Sequence, residues 1–133
     1  MSEICRAPDL SKLEIPIDSW TKPFWDGCSD RRLLLPRCGF CRHFRWPPGP
    51  FCPHCQSQAT EWVTAGIARI YSFTILRESD AACVPALIEF PQSDGIRLVA
   101  AIVDTPLDTI RIGAEATLSW AQAINARVPV FKI

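Results

Sequence analysis

Beyond residue 60 the chain runs in short stretches of β-branched, aromatic and aliphatic residues broken by turn residues. "EWVTAGIARIYSFTIL", residues 61–76, predicts a first strand, with Gly66 interrupting it where a bulge or sharp bend turns the chain. "VPALIEFP" and "IRLVAAIVD" predict two more strands, and the "QSDG" between them carries Asp94-Gly95, a strong hairpin-turn pair. A short helical turn in "TPLDTIRIG" and strands in "EATLSWAQ" and "ARVPVFKI" complete the series. Five predicted strands without a long helical pattern describe a mainly β fold, closed as a small Greek-key barrel.

Upstream the pattern is weaker. Residues 1–18 show no clear apolar period and contain Pro8 and Pro16, which predicts a loosely ordered arm. In "DSWTKPFWDGCSDRRLLLPR", Asp18, Ser19 or Thr21 is placed to cap a short helix with Pro23 in its first turn, and Gly27 to weaken or end it. "LLLPR" then leads as a strand into Cys38. The expected organisation is an arm over 1–19, a helix with a small metal-binding unit over 20–60, and the barrel over 61–133.

The 133 residues suffice for one compact domain or two small modules. Fourteen basic side chains balance fourteen acidic ones, so net charge points to no polyanionic partner. "MSEICRAPDLSKLEIP" lacks the basic start and apolar run of a secretory signal, and no stretch approaches the roughly twenty apolar residues of a membrane helix. The expected setting is a reducing cytoplasm, where paired cysteines more often hold metal than form disulfides.

Four of the seven cysteines lie in "CGFCRHFRWPPGPFCPHC", residues 38–55. Each Cys-x-x-Cys turn aims two sulfurs at one point, and two such turns complete a tetrahedral shell. Cys38, Cys41, Cys52 and Cys55 are the expected ligands, with "RHFRWPPGPF" as a hairpin between the pairs. Four thiolates leave no open position, which makes the site structural, not catalytic. Zinc is the expected ion, while iron held in rubredoxin fashion uses similar geometry and stays open at this point. A thioredoxin-like redox motif fits two pairs at this spacing poorly. His43 and His54 lie beside a shell already full, and Cys5, Cys28 and Cys83 have no partner spacing.

On these residues the chain resembles a family that joins an N-terminal rubredoxin-like zinc ribbon to a C-terminal OB-fold and associates with acyl-CoA enzymes. The resemblance covers residues 20–133 and rests on "KPFWDG", "RCGFC", "RWPP", "FCPHC", "EWVTAGIARIYSFTIL", "ALIEF", "IRLVAAIVD" and "IRIGAEATL". The family's usual glycine after each knuckle is replaced here by Arg42 and Gln56. The resemblance implies a structural Zn2+ and a five-stranded OB-fold. It also implies an accessory subunit that supports a thiolase-like partner acting on acyl-CoA thioesters. Retro-aldol C–C cleavage, as in steroid side-chain degradation, and acyl transfer are the two reactions implied, with the chemistry in the partner and acyl-CoA at a shared interface.

The residues themselves agree that catalysis lies elsewhere, since both histidines fall within the ribbon and no nucleophile, base and orienting group stand out together. Trp20, Phe24, Trp25, Phe44, Trp46 and Phe51 crowd into a ribbon too small to bury them all. Trp20, Phe24, Trp25, Trp46 and Pro47 are the expected partner contacts, Trp46 being exposed at a hairpin tip, and ordinary core packing is the alternative for Phe24 and Trp25. Five arginines and no acidic residue lie between 31 and 60, of which Arg42 and Arg45 are candidates for a phosphate or an acidic partner. That cluster also sustains a rival reading, an OB-fold nucleic-acid binder. The barrel weakens it, because Arg69, Arg77 and Arg97 are interspersed with Glu78, Asp80, Glu89 and Asp94.

Overall fold

A computed structural model describes residues 3–78 and 81–133, so Asp80 lies outside the described residues. Helix α1 (Lys22–Ser29) opens the ribbon. Asp18 Oδ1 accepts hydrogen bonds from the N–H groups of Trp20 and Thr21, fixing the turn that leads into the helix. Thr21 occupies the cap position without a side-chain cap bond, and Pro23 lies in the first turn, where a missing N–H costs nothing. Gly27 sits inside the helix and does not end it. A Cβ there would lie 2.9 Å from the Arg32 carbonyl oxygen and 3.0 Å from Leu34, so glycine lets the helix approach the following strand.

That strand, β1 (Leu34–Cys38), pairs antiparallel with β2 (Thr60–Thr64), from Leu34 opposite Thr64 to Cys38 opposite Thr60. The stretch expected as one long strand is therefore divided. Residues 60–64 close the ribbon sheet, and β3 (Ala68–Phe73) begins the barrel. Gly66 stands in the link: a Cβ there would collide with the Gln92 side chain, whose Oε1 accepts a 2.9 Å hydrogen bond from Ile67 N–H. The register shift in β3 comes later, at Tyr71 between Ile70 and Ser72.

The barrel adds β4 (Leu76–Glu78), β5 (Ala81–Phe90), β6 (Ile96–Ile102), a 3-10 turn at Leu107–Thr109, β7 (Glu115–Gln122) and β8 (Arg127–Lys132). The order β3-β7-β8-β6-β5 closes on itself through β3–β5 pairing, with a parallel contact between β6 and β8 and with β4 as an extra strand on β5. This is the five-stranded closed barrel of the OB-fold. Strict alternation along β5 turns Ala82, Val84, Ala86, Ile88 and Phe90 inward, against Ile70, Ile102 and Phe131. The β5–β6 turn has the expected form, with Asp94 (φ 56°) and Gly95 (φ 67°) both left-handed.

The N-terminal arm is not loose over its described part. Cys5 N–H donates to the Thr105 carbonyl and Arg6 N–H to that of Ala82, Ile4 bridges Pro106, and the Cys5 side chain is fully buried. Further on, Ile15 and Asn125 exchange a pair of hydrogen bonds. The arm follows no apolar period because it is a strap held mainly by backbone bonds, with one buried residue where it crosses the barrel. Ribbon and barrel share one core, in which Phe24, Cys28, Leu33 and Leu35 join the barrel residues. Among the described residues no helix is long and apolar enough to cross a membrane.

Candidate metal centre and neighbouring surfaces

Two tight turns carry the sulfurs. β1 ends at Cys38, whose N–H donates to the His43 carbonyl, while Arg42 N–H donates back to the Cys38 carbonyl. The second turn repeats the pattern, with Cys52 N–H bonded to the Ser57 carbonyl and Gln56 N–H to that of Cys52. Closing each turn requires a left-handed residue after the second cysteine, and Arg42 (φ 70°) and Gln56 (φ 68°) adopt it. The replacement of glycine thus leaves the geometry intact, at a backbone cost of about 1–2 kcal/mol per site.

The four Sγ atoms lie within 4.8 Å of one another, with Cys38 and Cys55 3.6 Å apart and Cys41 and Cys52 3.5 Å apart. A tetrahedral zinc with bonds near 2.3 Å separates its sulfurs by about 3.8 Å, so the constellation fits the ion. Backbone N–H groups of Phe40 and Cys41 point at Cys38 Sγ, and that of His54 points at Cys52 Sγ, each at 3.4 Å. The Cys41 N–H is the largest influence on Cys38 and burial opposes it; with Phe40 N–H and the adjacent thiols it draws Cys38 down to about 6. The Cys41 thiol is favoured as an anion by the His43 backbone, yet burial and the adjacent thiols carry it up to about 12. Four thiolates in contact need a cation, and Zn2+ supplies that charge while leaving no free coordination position.

Two of the three remaining thiols are of another kind. Cys5 and Cys28 are fully buried, and burial, the largest influence, pushes Cys28 up to about 12. They fill space as small apolar residues. The linker between the knuckles is irregular and forms no regular hairpin beyond a single bridge from Arg37 to Phe44. Its 46–50 stretch runs through prolines and a cis Trp46-Pro47 peptide. Asp94 Oδ2 accepts a 2.9 Å hydrogen bond from Phe44 N–H, tying the first knuckle to the β5–β6 turn.

The aromatic residues divide by position. Phe24 is buried, at 3% exposure, with the rings of Trp25 and Trp46 edge-on at 4.9 and 5.1 Å. It belongs to the core, because α1 has both ribbon and barrel to pack against, and it offers no surface. Trp46 is half-buried on the same cluster, not exposed at a tip. Trp25 is half-buried, Pro47 is exposed and Trp20 is 49% exposed. The most exposed large apolar residue here is one the sequence reading passed over, Phe40, at 78%. Its signal was its place between two ligands: with Cys38 and Cys41 turned to the metal, the residue before Cys41 is forced outward.

The arginines divide as well. Glu61, on β2, accepts from Arg37 at 2.7 Å and Arg42 at 2.8 Å, and the Arg37 bond, opposed by burial and aided by Arg42, lowers its pKa. Register explains the clamp, since Arg37 faces Glu61 across the β1–β2 ladder. Arg45 is buried instead, its Nη2 donating to the Gly49 carbonyl and Thr60 Oγ1. On the barrel Arg97 pairs with Glu89 at 3.1 Å and Arg77 with Glu3, so these two arginines are already neutralised.

The fold and the four-thiol site define a zinc-ribbon and OB-fold protein. Residues 25–61 match the family described as ChsH2, rubredoxin-like zinc ribbon domain, and residues 62–121 match ChsH2, C-terminal OB-fold domain. The chain belongs to this ChsH2 zinc-ribbon and OB-fold family. A chain from a solved structure titled "Ltp2-ChsH2(DUF35) aldolase" superposes with a TM-score of 0.80 at 32% identity, covering 90% of this chain and 98% of that one. A protein of unknown function from the DUF35 family of Sulfolobus solfataricus superposes at 0.65 with 20% identity, covering 86% of this chain and 85% of that one, and shares the fold. Among curated proteins, one from Thermomonospora curvata named "Probable enoyl-CoA hydratase alpha subunit" is 36% identical over an alignment of 119 positions that covers 82% of this chain. The chain spans only 36% of that relative's length.

Proposed function

We propose that this chain is a zinc-stabilised accessory subunit that binds a thiolase-like enzyme acting on acyl-CoA thioesters. The observation that carries the reading is the near end-to-end superposition on the chain from the Ltp2-ChsH2 aldolase, at 32% identity. The enoyl-CoA hydratase name of a second relative points to the same class of substrate. The chemistry, retro-aldol cleavage of a side chain such as that of a steroid or else acyl transfer, resides in the partner, and a cytoplasmic setting goes with it. The closed four-thiol shell gives this chain a structural ion and no Lewis-acid site. Trp20, Trp25, Trp46 and Pro47 supply the contact surface, joined by Phe40. Aromatic rings left exposed or half-buried on a small ribbon suit an interface anchor, because each removes a large area from water at little rotamer cost.

Co-expression with a thiolase-like protein from the same host tests the reading. The expected result is a stoichiometric complex with one zinc per ribbon subunit, active on a CoA thioester only when both chains are present. Trp20→Ala with Trp46→Ala is expected to weaken assembly at least tenfold while zinc content is retained. Recovery of the chain with nuclease-sensitive nucleic acid in place of the enzyme would overturn the proposal.

A further inference from the structure

The barrel ladder has one incomplete seam. β6 pairs along its whole length with β5 and β8 with β7, but β6 and β8 meet at a single ladder position, Ile102 opposite Phe131. Before that position, residues 98–101 of β6 and 128–130 of β8 line a recess of about 260 Å³. Phe24 and Trp25 from α1, Trp46 from the linker, and Pro8 and Leu10 from the arm complete its wall. Solvent reaches this wall, since Val99 is 72% exposed and Trp25, Trp46, Ala101 and Val128 are half-buried. Its buried lining residues Phe24, Leu98 and Ala100 belong to the shared core. Every lining side chain is aliphatic or aromatic, and none is charged. Water in such a recess finds too few hydrogen-bond partners, so an apolar group that displaces it gains free energy.

We propose that this recess takes the hydrocarbon end of an acyl thioester, an assignment that rests on the acyl-CoA reading. An uncharged wall cannot pair with the phosphates of CoA, so the nucleotide end stays outside. Volume agrees, because the recess is smaller than the roughly 300–1,000 Å³ of sites that enclose a whole drug-sized ligand. Position agrees as well. Trp25 and Trp46 belong both to this wall and to the contact surface proposed for the enzyme, so the recess would open beside the partner that holds the substrate. The accessory chain would then help select the acyl group, besides supporting the enzyme.

The test follows the methyl resonances of Leu10, Val99 and Val128 in the zinc-loaded full chain, without the partner, during titration. The probes are hexanoyl-CoA, octanoyl-CoA, CoA itself and octanol. Saturable shifts at these methyls with both thioesters and with octanol, and none with CoA, support the site. Octanoyl-CoA is expected to bind about tenfold tighter than hexanoyl-CoA, the gain from burying two more methylenes. Val99→Asp sets a charge at the rim, at a position exposed enough to spare the fold, and should weaken octanoyl-CoA at least tenfold with zinc content unchanged. Ala101→Phe, which fills the recess, should do the same. A response to octanol alone overturns the thioester assignment. No saturable response, equal affinity for the two thioesters, or undiminished affinity in both variants overturns the site. If no probe binds and Ala101→Phe prevents assembly with the enzyme, the recess belongs to the protein interface and the proposal falls. Because the titration needs no partner, its failure leaves the expected complex standing, and failure of the complex leaves the titration to be read by itself.

Discussion

In the barrel β5 hides every second side chain over ten residues, whereas in the ribbon β2 has no fully buried residue. The barrel strands close a ring around Ile70, Val84, Ile88, Phe90, Ile102 and Phe131, and burial of those groups holds it. The ribbon has two strands, two knuckles and an irregular linker, which is too little apolar surface to offset the entropy of ordering it. Its cohesion comes from four sulfurs, the Glu61 clamp and the core residues it shares with the barrel. One chain thus uses both established solutions for a small fold, a packed core and a metal staple.

The largest effect expected from breaking this comparison is on the ribbon side. Cys52→Ala removes one of the four ligands, and structural zinc contributes on the order of 10–16 kcal/mol of coupled binding and folding. The variant is expected to lose its zinc and the ordered amide signals of residues 38–60. The barrel signals, from Ala68 onward, should survive in part, because the barrel's ring closes without the ribbon. A full complement of zinc in the purified variant would contradict the four-ligand assignment.

The reverse break is Phe131→Ala. Phe131 is 1% exposed on β8, faces Phe90 at 6.3 Å between ring centroids and sits where β8 runs beside β6. Removing a buried phenyl ring costs about 3–5 kcal/mol. The denaturation midpoint of the zinc-loaded protein is expected to fall accordingly, with zinc content unchanged. Loss of zinc along with stability would show that the ribbon leans on the barrel core more heavily than its own contacts suggest.

The same contrast governs what could be read from the sequence. The metal ligands were legible residue by residue, because coordination chemistry restricts both residue type and spacing. So were four of the barrel strands and the Asp94-Gly95 turn, where alternation and backbone conformation leave a local trace. The first strand was legible only in part: Gly66 marked an interruption in "EWVTAGIARIYSF", but only the pairing, first with β1 and then with β7 and β5, makes it two strands in separate sheets. The arm was missed because backbone bonds to the barrel carry no side-chain pattern. Arg42 and Arg45 looked alike in sequence; an ion pair with Glu61 neutralises one, and burial against Gly49 and Thr60 withdraws the other. Long-range contacts of that kind become visible only in the folded chain.

The smallest effect probes the knuckle backbone, where two residues with side chains hold left-handed conformations. Gln56 holds φ 68° so that its N–H can reach the Cys52 carbonyl at 2.9 Å. A left-handed conformation costs a residue with a Cβ about 1–2 kcal/mol. Glycine would relieve that cost, but its greater freedom in the unfolded chain takes back about 0.5–1 kcal/mol. Gln56→Gly is therefore expected to gain about 0.5–1 kcal/mol, a roughly two- to fivefold tighter hold on zinc in competition with a chelator. Arg42 sits at the matching place, but replacing it would also break the 2.8 Å pair with Glu61, so its two effects oppose each other. Gln56 carries no such bond, which makes it the cleaner test. Unchanged zinc competition would mean that the second knuckle stores no strain at this residue.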